Sequence, residues 1–338
     1  MSLHTRPLGT SGLDVTTVGF GSWATGGGGW SFGWGAQDDD LSIAAIHRAV
    51  DLGVNWVDTA AVYGLGHSEE VVGRAVRALP AAARPFIFTK CGLGWDAADP
   101  MGATQRIVTP ATVRHGIEGS LRRLGLETVD LFQIHWPDDQ GNPVEEAWAE
   151  MVKLREEGKA RAIGVSNFDP DLLARIEPLG HVDSLQPPFS LIQRETAAEL
   201  LPWAQAQGTG VLCYSPMGSG ILTDTFSAAR VDAMAVDDWR RRPPMFKEPK
   251  LSRNLSLRDA LRPVAARHGA TVAAVAVAWV DRWPGVSGAI VGARTAEQVD
   301  GWIGGATLEL TDQDLTEIAG AVQATGAGKG PADPRQTC

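Results

Sequence analysis

An α/β chain closed into a (β/α)8 barrel is the fold class that this sequence predicts, on three observations. Short apolar runs rich in β-branched and aromatic residues recur along it, each followed by loop residues and then by a helix-like stretch. Eight such runs fit into about 300 residues, which suits a closed barrel better than an open sheet. Three runs end on an ionisable side chain: Asn55-Trp56-Val57-Asp58, Phe86-Ile87-Phe88-Thr89-Lys90 and Val129-Asp130-Leu131-Phe132-Gln133-Ile134-His135. Burying such a group unpaired is costly, so a strand that ends on one needs a reason. Parallel strands share a C-terminal face, and there Asp58, Lys90 and His135 would converge.

Taken in order, residues 5–9 and 13–18 read as a hairpin around Thr10-Ser11-Gly12. Strands follow at 17–21, 55–58, 86–89, 129–135, 160–165, 184–186, 211–214 and 289–291. Helices fall between them, so right-handed crossovers between parallel strands are expected. Gly19-Phe20-Gly21-Ser22-Trp23-Ala24 matches a dinucleotide fingerprint, but that fingerprint needs a helix opening on its glycines. Here Gly26 to Gly29 and Gly33 to Gly35 follow, and the first helix is expected from Asp40. Trp30-Ser31-Phe32-Gly33-Trp34 reads either as a flap over substrate or as a solvent-facing loop.

Later helices have start signals. Ser68 precedes Glu69 and Glu70. Thr109-Pro110, Asn142-Pro143 and Asp169-Pro170 each pair a capping side chain with proline at the first helical position. Thr295 and Gln298 make a capping box after the eighth strand, where free N–H groups suit an anion. Residues 216–249 form a long connection, and such loops are usually functional or disordered. It opens with the small-residue turn Met217-Gly218-Ser219-Gly220-Ile221-Leu222-Thr223, whose backbone N–H groups could approach a pyrophosphate. Its later Trp239-Arg240-Arg241-Arg242 reads as a solvated loop. Residues 1–323 are expected to form one domain and 324–338 a mobile tail.

The 338 residues are 44% hydrophobic and 21% charged, values of a soluble globular protein. Net charge is −10 with no basic block, which excludes nucleic acid and anionic membranes as expected partners. No stretch approaches the roughly 20 apolar residues of a membrane helix, and no signal segment opens the chain. Cys91, Cys213 and Cys338 are odd in number and lack metal spacing. They read as reduced thiols of a cytoplasmic protein, Cys91 and Cys213 being buried at strand ends.

Tyr63 lies five residues past Asp58 and is one of two tyrosines in a chain with twelve tryptophans. A phenol beside a lysine, with an aspartate to hold the lysine charged, makes a proton donor, because an ammonium favours the phenolate. A histidine can orient a substrate oxygen. Together the four suit protonation of a carbonyl oxygen as charge builds on it. The structural alternative is a buried Lys90–Asp58 ion pair with a core histidine.

Asp58 to Gly64 followed by His67-Ser68-Glu69, then Thr89-Lys90 and Gln133-Ile134-His135-Trp136, resembles the aldo-keto reductases. So do Gly164-Val165-Ser166-Asn167-Phe168, Tyr214-Ser215-Pro216 and Gly292-Ala293-Arg294, in family order from about Leu8 to Val299. The resemblance implies a monomeric-type barrel that reduces a small-molecule carbonyl with NADPH, using Asp58, Tyr63, Lys90 and His135. It implies that Ser166, Asn167 and Gln186 hold the nicotinamide carboxamide and that Tyr214 stacks on the ring. It extends the cofactor site over Ser215, Met217, Gly218, Ser219, Gly220, Leu222, Gly292 and Gln298, with Arg294 on the 2′-phosphate. Where the family often has Glu-Asn this chain has Gly301-Trp302, so no adenine contact is implied there. Trp23, Trp95 and Trp136 are the expected aromatic wall for substrate. Two rival readings are a nucleotide-binding regulatory barrel with little turnover and a metal-dependent hydrolase built on Asp58 and His135.

Overall fold

The computed structural model describes residues 3–336, so Cys338 lies outside them. Eight parallel strands close into a barrel: β1 (Val18–Gly21), β2 (Trp56–Asp58), β3 (Phe86–Cys91), β4 (Val129–Ile134), β5 (Ala160–Ser166), β6 (Ser184–Gln186), β7 (Gly210–Tyr214) and β8 (Val286–Gly292). Each pairs with its neighbour in sequence, and β8 pairs with β1. Helices on the outside connect them, as expected.

Alternation along each strand divides the apolar residues between two cores. Outward residues such as Val18, Phe20, Val57, Phe132, Ile134, Val165 and Leu185 pack in one cluster with Val72, Val113 and Met151 of the surrounding helices. Inward residues Trp56, Phe88, Leu131, Ala162, Leu212 and Ile290 meet Leu8, Leu13 and Val15 of the hairpin in a second. The hairpin (Thr5–Pro7 with Asp14–Thr16) therefore plugs the N-terminal end. Trp56 Nε1 donates to Thr16 O at 2.8 Å and fixes the plug. Gly19 is required beside that ring, since a Cβ there would lie 2.2 Å from the indole. Burying a side chain of this size contributes about 1.5–3 kcal/mol.

Several local expectations shift. The first helix spans Asp39–Asp51 and is capped by Asp38, which accepts from Leu41 N at 3.0 Å. Ser68 is no cap: Gly66 precedes the helix His67–Ala78, and the Ser68 hydroxyl donates inward to Ser22 O at 2.9 Å. Asn142 is not a cap either; its side chain donates to Asp138 Oδ2 at 2.9 Å, and Pro143 precedes the helix Val144–Glu156. Thr109 and Asp169 cap as expected. Thr295 stands at the N-cap of Ala296–Trp302 without a side-chain cap bond. Gln298 accepts instead from Arg294 N at 2.8 Å.

Residues 324–336, part of the segment expected to be a mobile tail, are laid against the barrel. Arg194 N donates to Lys329 O at 3.0 Å, Arg194 Nη1 to Ala327 O at 3.0 Å, and Ala327 is fully buried. The connection after β7 is structured as well, with short helical turns at Gly218–Gly220, Trp239–Arg241 and Pro244–Phe246.

Candidate active site

Strand register brings the ionisable ends together. Asp58 ends β2 and Lys90 is the last residue but one of β3, and both face the barrel axis because Trp56 and Phe88, two residues back, do. Lys90 Nζ donates to Asp58 Oδ1 at 2.5 Å and to Thr59 O at 2.8 Å. From the opposite side of the barrel, Gln186 Nε2 donates to Asp58 Oδ2 at 2.9 Å. His135 follows β4, and its ring stands edge-on to the Tyr63 ring with centroids 5.5 Å apart. Lys90 Nζ lies 5.2 Å from the Tyr63 centroid. Tyr63 is held in a tight turn by Gly64 (φ 61°), where a Cβ would lie 2.3 Å from Gly26 O.

Burial dominates the electrostatics. It raises Asp58 and lowers Lys90, and the contact between them opposes both shifts. Burial, then the charge of Asp58, pushes the Tyr63 phenol well above its usual 10.0. Burial thus works against the acidifying effect expected from Lys90, and the phenol keeps its proton. Burial, then the charge of Lys90, holds His135 well below 6.5, so the ring is neutral. The set thus presents a protonated phenol and a neutral imidazole, both able to donate to an oxygen, above a paired cation.

These groups stand in a cavity of about 1030 Å³ lined by Asp58, Tyr63, His135, Ser166, Asn167, Gln186 and Tyr214. Lys90 lies beneath its surface. Chain comparisons decide what such a site belongs to. Residues 17–323 match the model of the aldo/keto reductase family. The chain belongs to that family. It is 34% identical to the aldo-keto reductase YhdN of Bacillus subtilis, over 91% of each chain. It is 32% identical to a protein named NADH-specific methylglyoxal reductase from Escherichia coli, over 94% of this chain and 98% of that one. Its fold superposes on the solved structure of a glycerol dehydrogenase from Gluconobacter oxydans with a TM-score of 0.85, at 37% identity and over 99% of both chains. An aldo/keto reductase is an oxidoreductase, and this chain is one.

In this aldo/keto reductase the Ser166–Asn167–Gln186 group is already a network. Ser166 Oγ donates to Gln186 O at 2.7 Å, Asn167 Nδ2 to His135 O at 2.9 Å, and Tyr214 OH to Asn167 Oδ1 at 2.8 Å. Asn167 sits at φ 62°, a left-handed conformation that asparagine tolerates. Further along the wall, Ser215, Gly218, Ser219 and Gly220 all have positive φ. The N–H groups of Gly218, Gly220, Ile221 and Leu222 are consumed inside that turn. Ser215, Met217, Ser219, Gly220, Gly292, Arg294 and Gln298 line the cavity, whereas Gly218 and Leu222 are buried behind it. Arg294 is tied to the loop before the first helix: Nε donates to Gln37 Oε1 at 2.6 Å and Nη2 to Ala36 O.

Trp23 and Trp136 line the cavity; Trp95 does not, and packs against the cluster of Trp30, Ala60 and Val62. Sequence reasoning left the roof undecided. Trp23 stacks between Tyr63 (6.0 Å, 19°) and Trp239 (4.7 Å, 23°), with Trp34 edge-on at 5.4 Å. Arg240, expected in a solvated loop, is buried, paired with Asp238 at 2.6 Å and set 4.4 Å over the Trp34 ring. Trp239 N donates to Gly33 O at 3.0 Å, and Ser31 N to Pro100 O at 3.1 Å. The 22–38 loop is therefore a bridge between two walls. Its glycines and tryptophans were the available signal, but their partners lie about 70 and about 200 residues away.

Proposed function

We propose that this enzyme reduces an aldehyde or ketone to the alcohol with NADPH, and that Tyr63 is the general acid. The convergence of Tyr63, His135 and the Lys90–Asp58 pair on one cavity wall carries the reading. The residues present fit a nicotinamide dinucleotide. An amide and hydroxyl cluster adjoins the tetrad, a small-residue turn in left-handed conformation follows, and Arg230, Arg240 and Arg294 line the cavity. Ser166, Asn167 and Gln186 would hold the carboxamide and Tyr214 the ring face. Ser215, Met217, Ser219, Gly220, Gly292, Arg294 and Gln298, which line the cavity, would hold phosphates and adenosine. NADPH, when bound, supplies the hydride.

The chain's own residues do the rest. His135, neutral, orients the carbonyl oxygen. Tyr63 gives that oxygen its proton, and the Lys90 ammonium stabilises the phenolate left behind. Asp58 keeps Lys90 charged and is itself held by Gln186. Trp23 and Trp136 give the carbonyl compound an apolar wall. Two relatives named for methylglyoxal and glycerol support a small substrate. In this reading the enzyme is a cytoplasmic monomer. Steady-state rates on a panel of aldehydes and ketones, with NADPH and with NADH, test it. Multiple turnovers with NADPH preferred are expected. Stoichiometric nucleotide binding without turnover on any carbonyl would instead favour a regulatory barrel.

A further inference from the structure

Beneath the tetrad the barrel interior holds polar atoms that no hydrogen bond explains. Gln133 on β4 faces inward, between Leu131 of the inner core below it and His135 above it. It is fully buried, and neither Nε2 nor Oε1 has a partner. Ser184 on β6 is also fully buried, and its Oγ is likewise unpartnered. Register links the two in one inward-facing row: Lys90 pairs with Gln133, Gln133 with Gly164, and Gly164 with Ser184. Gly164 puts no side chain between them, and a Cβ there would stand 2.4 Å from Ser184 O and 3.0 Å from Ser184 Cβ.

Buried amides are almost always hydrogen-bonded, and leaving one bare is costly. Internal waters typically make two to four bonds to groups of this kind. A carboxamide and a hydroxyl on the two strands that flank Gly164 supply three such atoms. We infer that Gln133 and Ser184 hold ordered water one layer under the active site, and that Gln133 is thereby a positioning residue for Lys90. The ammonium needs this support. Its hydrogen-bond acceptors, Asp58 Oδ1 and Thr59 O, both come from one side, and burial pushes it toward neutrality. The other ionisable groups around it are Glu69 from the helix His67–Ala78, Tyr63 from the loop after β2 and His135 from β4. None of these is altered by substitution at Gln133. Dipoles of the amide and its water favour the charged lysine at no cost in net charge.

This inference rests on the reading that a charged Lys90 supports reduction, and its test separates the two. Carbonyl reduction is followed against pH for the parent, Gln133→Leu, Ser184→Ala and Lys90→Met. The parent is expected to lose kcat at alkaline pH as Lys90 deprotonates. Gln133→Leu should move that limb to lower pH by about one unit or more, a tenfold change in the ionisation constant. Ser184→Ala should move it the same way by less. KM and cofactor affinity should stay within about twofold, which a merely structural loss would not spare. A crystal structure of the parent should show water bonded to Gln133 and Ser184, and this arm stands even if Gln133→Leu does not fold. An unmoved limb in both variants, or density that shows the amide bonded to protein with no water, overturns the inference. If Lys90→Met keeps the parent's rate and limb, the role of Lys90 fails instead, and the crystal alone decides the water site.

Discussion

Gln186 on β6 and Asp58 on β2 are joined across the barrel mouth by a 2.9 Å hydrogen bond. The bond links the amide proposed to meet the cofactor with the carboxylate that holds Lys90. A hydrogen bond to a charged group contributes about 1.5–3 kcal/mol, and its loss leaves a buried carboxylate oxygen bare. Gln186→Met, close in volume, should therefore lower the unfolding free energy by about that amount. Urea denaturation measures it. An unchanged midpoint would mean that Asp58 does not depend on this bond.

The Tyr63→Phe variant keeps the ring between Trp23 and His135 and removes one oxygen. Folding and NADPH affinity should survive. General acid catalysis contributes about 10²–10⁴-fold, so carbonyl reduction should fall at least that far. Single-turnover hydride transfer at saturating NADPH is the measurement. A rate within a few-fold of the parent would remove Tyr63 from the mechanism.

His135 gives a prediction in pH. Its folded value lies well below 6.5, where the unfolded chain titrates. Below 6.5, and down to the folded value, the unfolded chain takes up a proton that the folded protein refuses. Stability from this group is thus present above the unfolded value and is lost as pH falls. From about pH 7 to about pH 5 the parent should lose stability more steeply than His135→Asn. The same depression means that the reduction rate should show no histidine limb across that range. Parallel denaturation curves for the two proteins would contradict the assignment of a neutral, buried ring.

Arg294 already holds a loop in the structure, so a prediction for its proposed phosphate role needs a control. If it meets the 2′-phosphate, Arg294→Ala should weaken NADPH about ten- to hundredfold more than NADH, as a charged hydrogen bond implies. Its guanidinium also holds Ala36 and Gln37. Gln37→Ala loosens that loop without touching the charge, and should weaken both cofactors equally. Fluorescence titration of each variant with each cofactor reads this. Equal weakening by Arg294→Ala would place the phosphate elsewhere.

Three strand ends were legible because each apolar run there finishes on an ionisable residue that has no cheap place in a core. Register then does the assembly, and the barrel needs no further information to bring Asp58, Lys90 and His135 together. Caps were less legible. Ser68 and Asn142 have capping chemistry, yet Ser22, 46 residues away, and Asp138, four residues back, compete for their side chains. The sign of the Tyr63 shift was hidden as well, since residue types show the neighbouring charges but not the depth of burial. The roof was least legible: Trp239-Arg240 looks like a basic surface loop until Trp23 and Trp34 are placed against it.

That roof yields the last prediction. Trp239 stacks on Trp23 at 4.7 Å, and Trp23 in turn lies over Tyr63. An aromatic pair of this kind contributes about 0.5–1.5 kcal/mol beyond its buried area. Trp239→Ala removes it and frees Trp23 to leave the wall against which the carbonyl compound must rest. Substrate binding should weaken by about two- to tenfold, the equivalent of that energy. The ring packs on Trp23, Trp34 and Phe246, so nicotinamide contacts at Ser166, Asn167 and Gln186 should hold and NADPH affinity should change little. Trp239→Phe keeps an aromatic face and should recover most of the loss. KM for the carbonyl compound and the dissociation constant of NADPH, taken on both variants, separate the outcomes. If alanine raises the NADPH constant as much as KM, the stack supports the cofactor loop instead of the substrate wall.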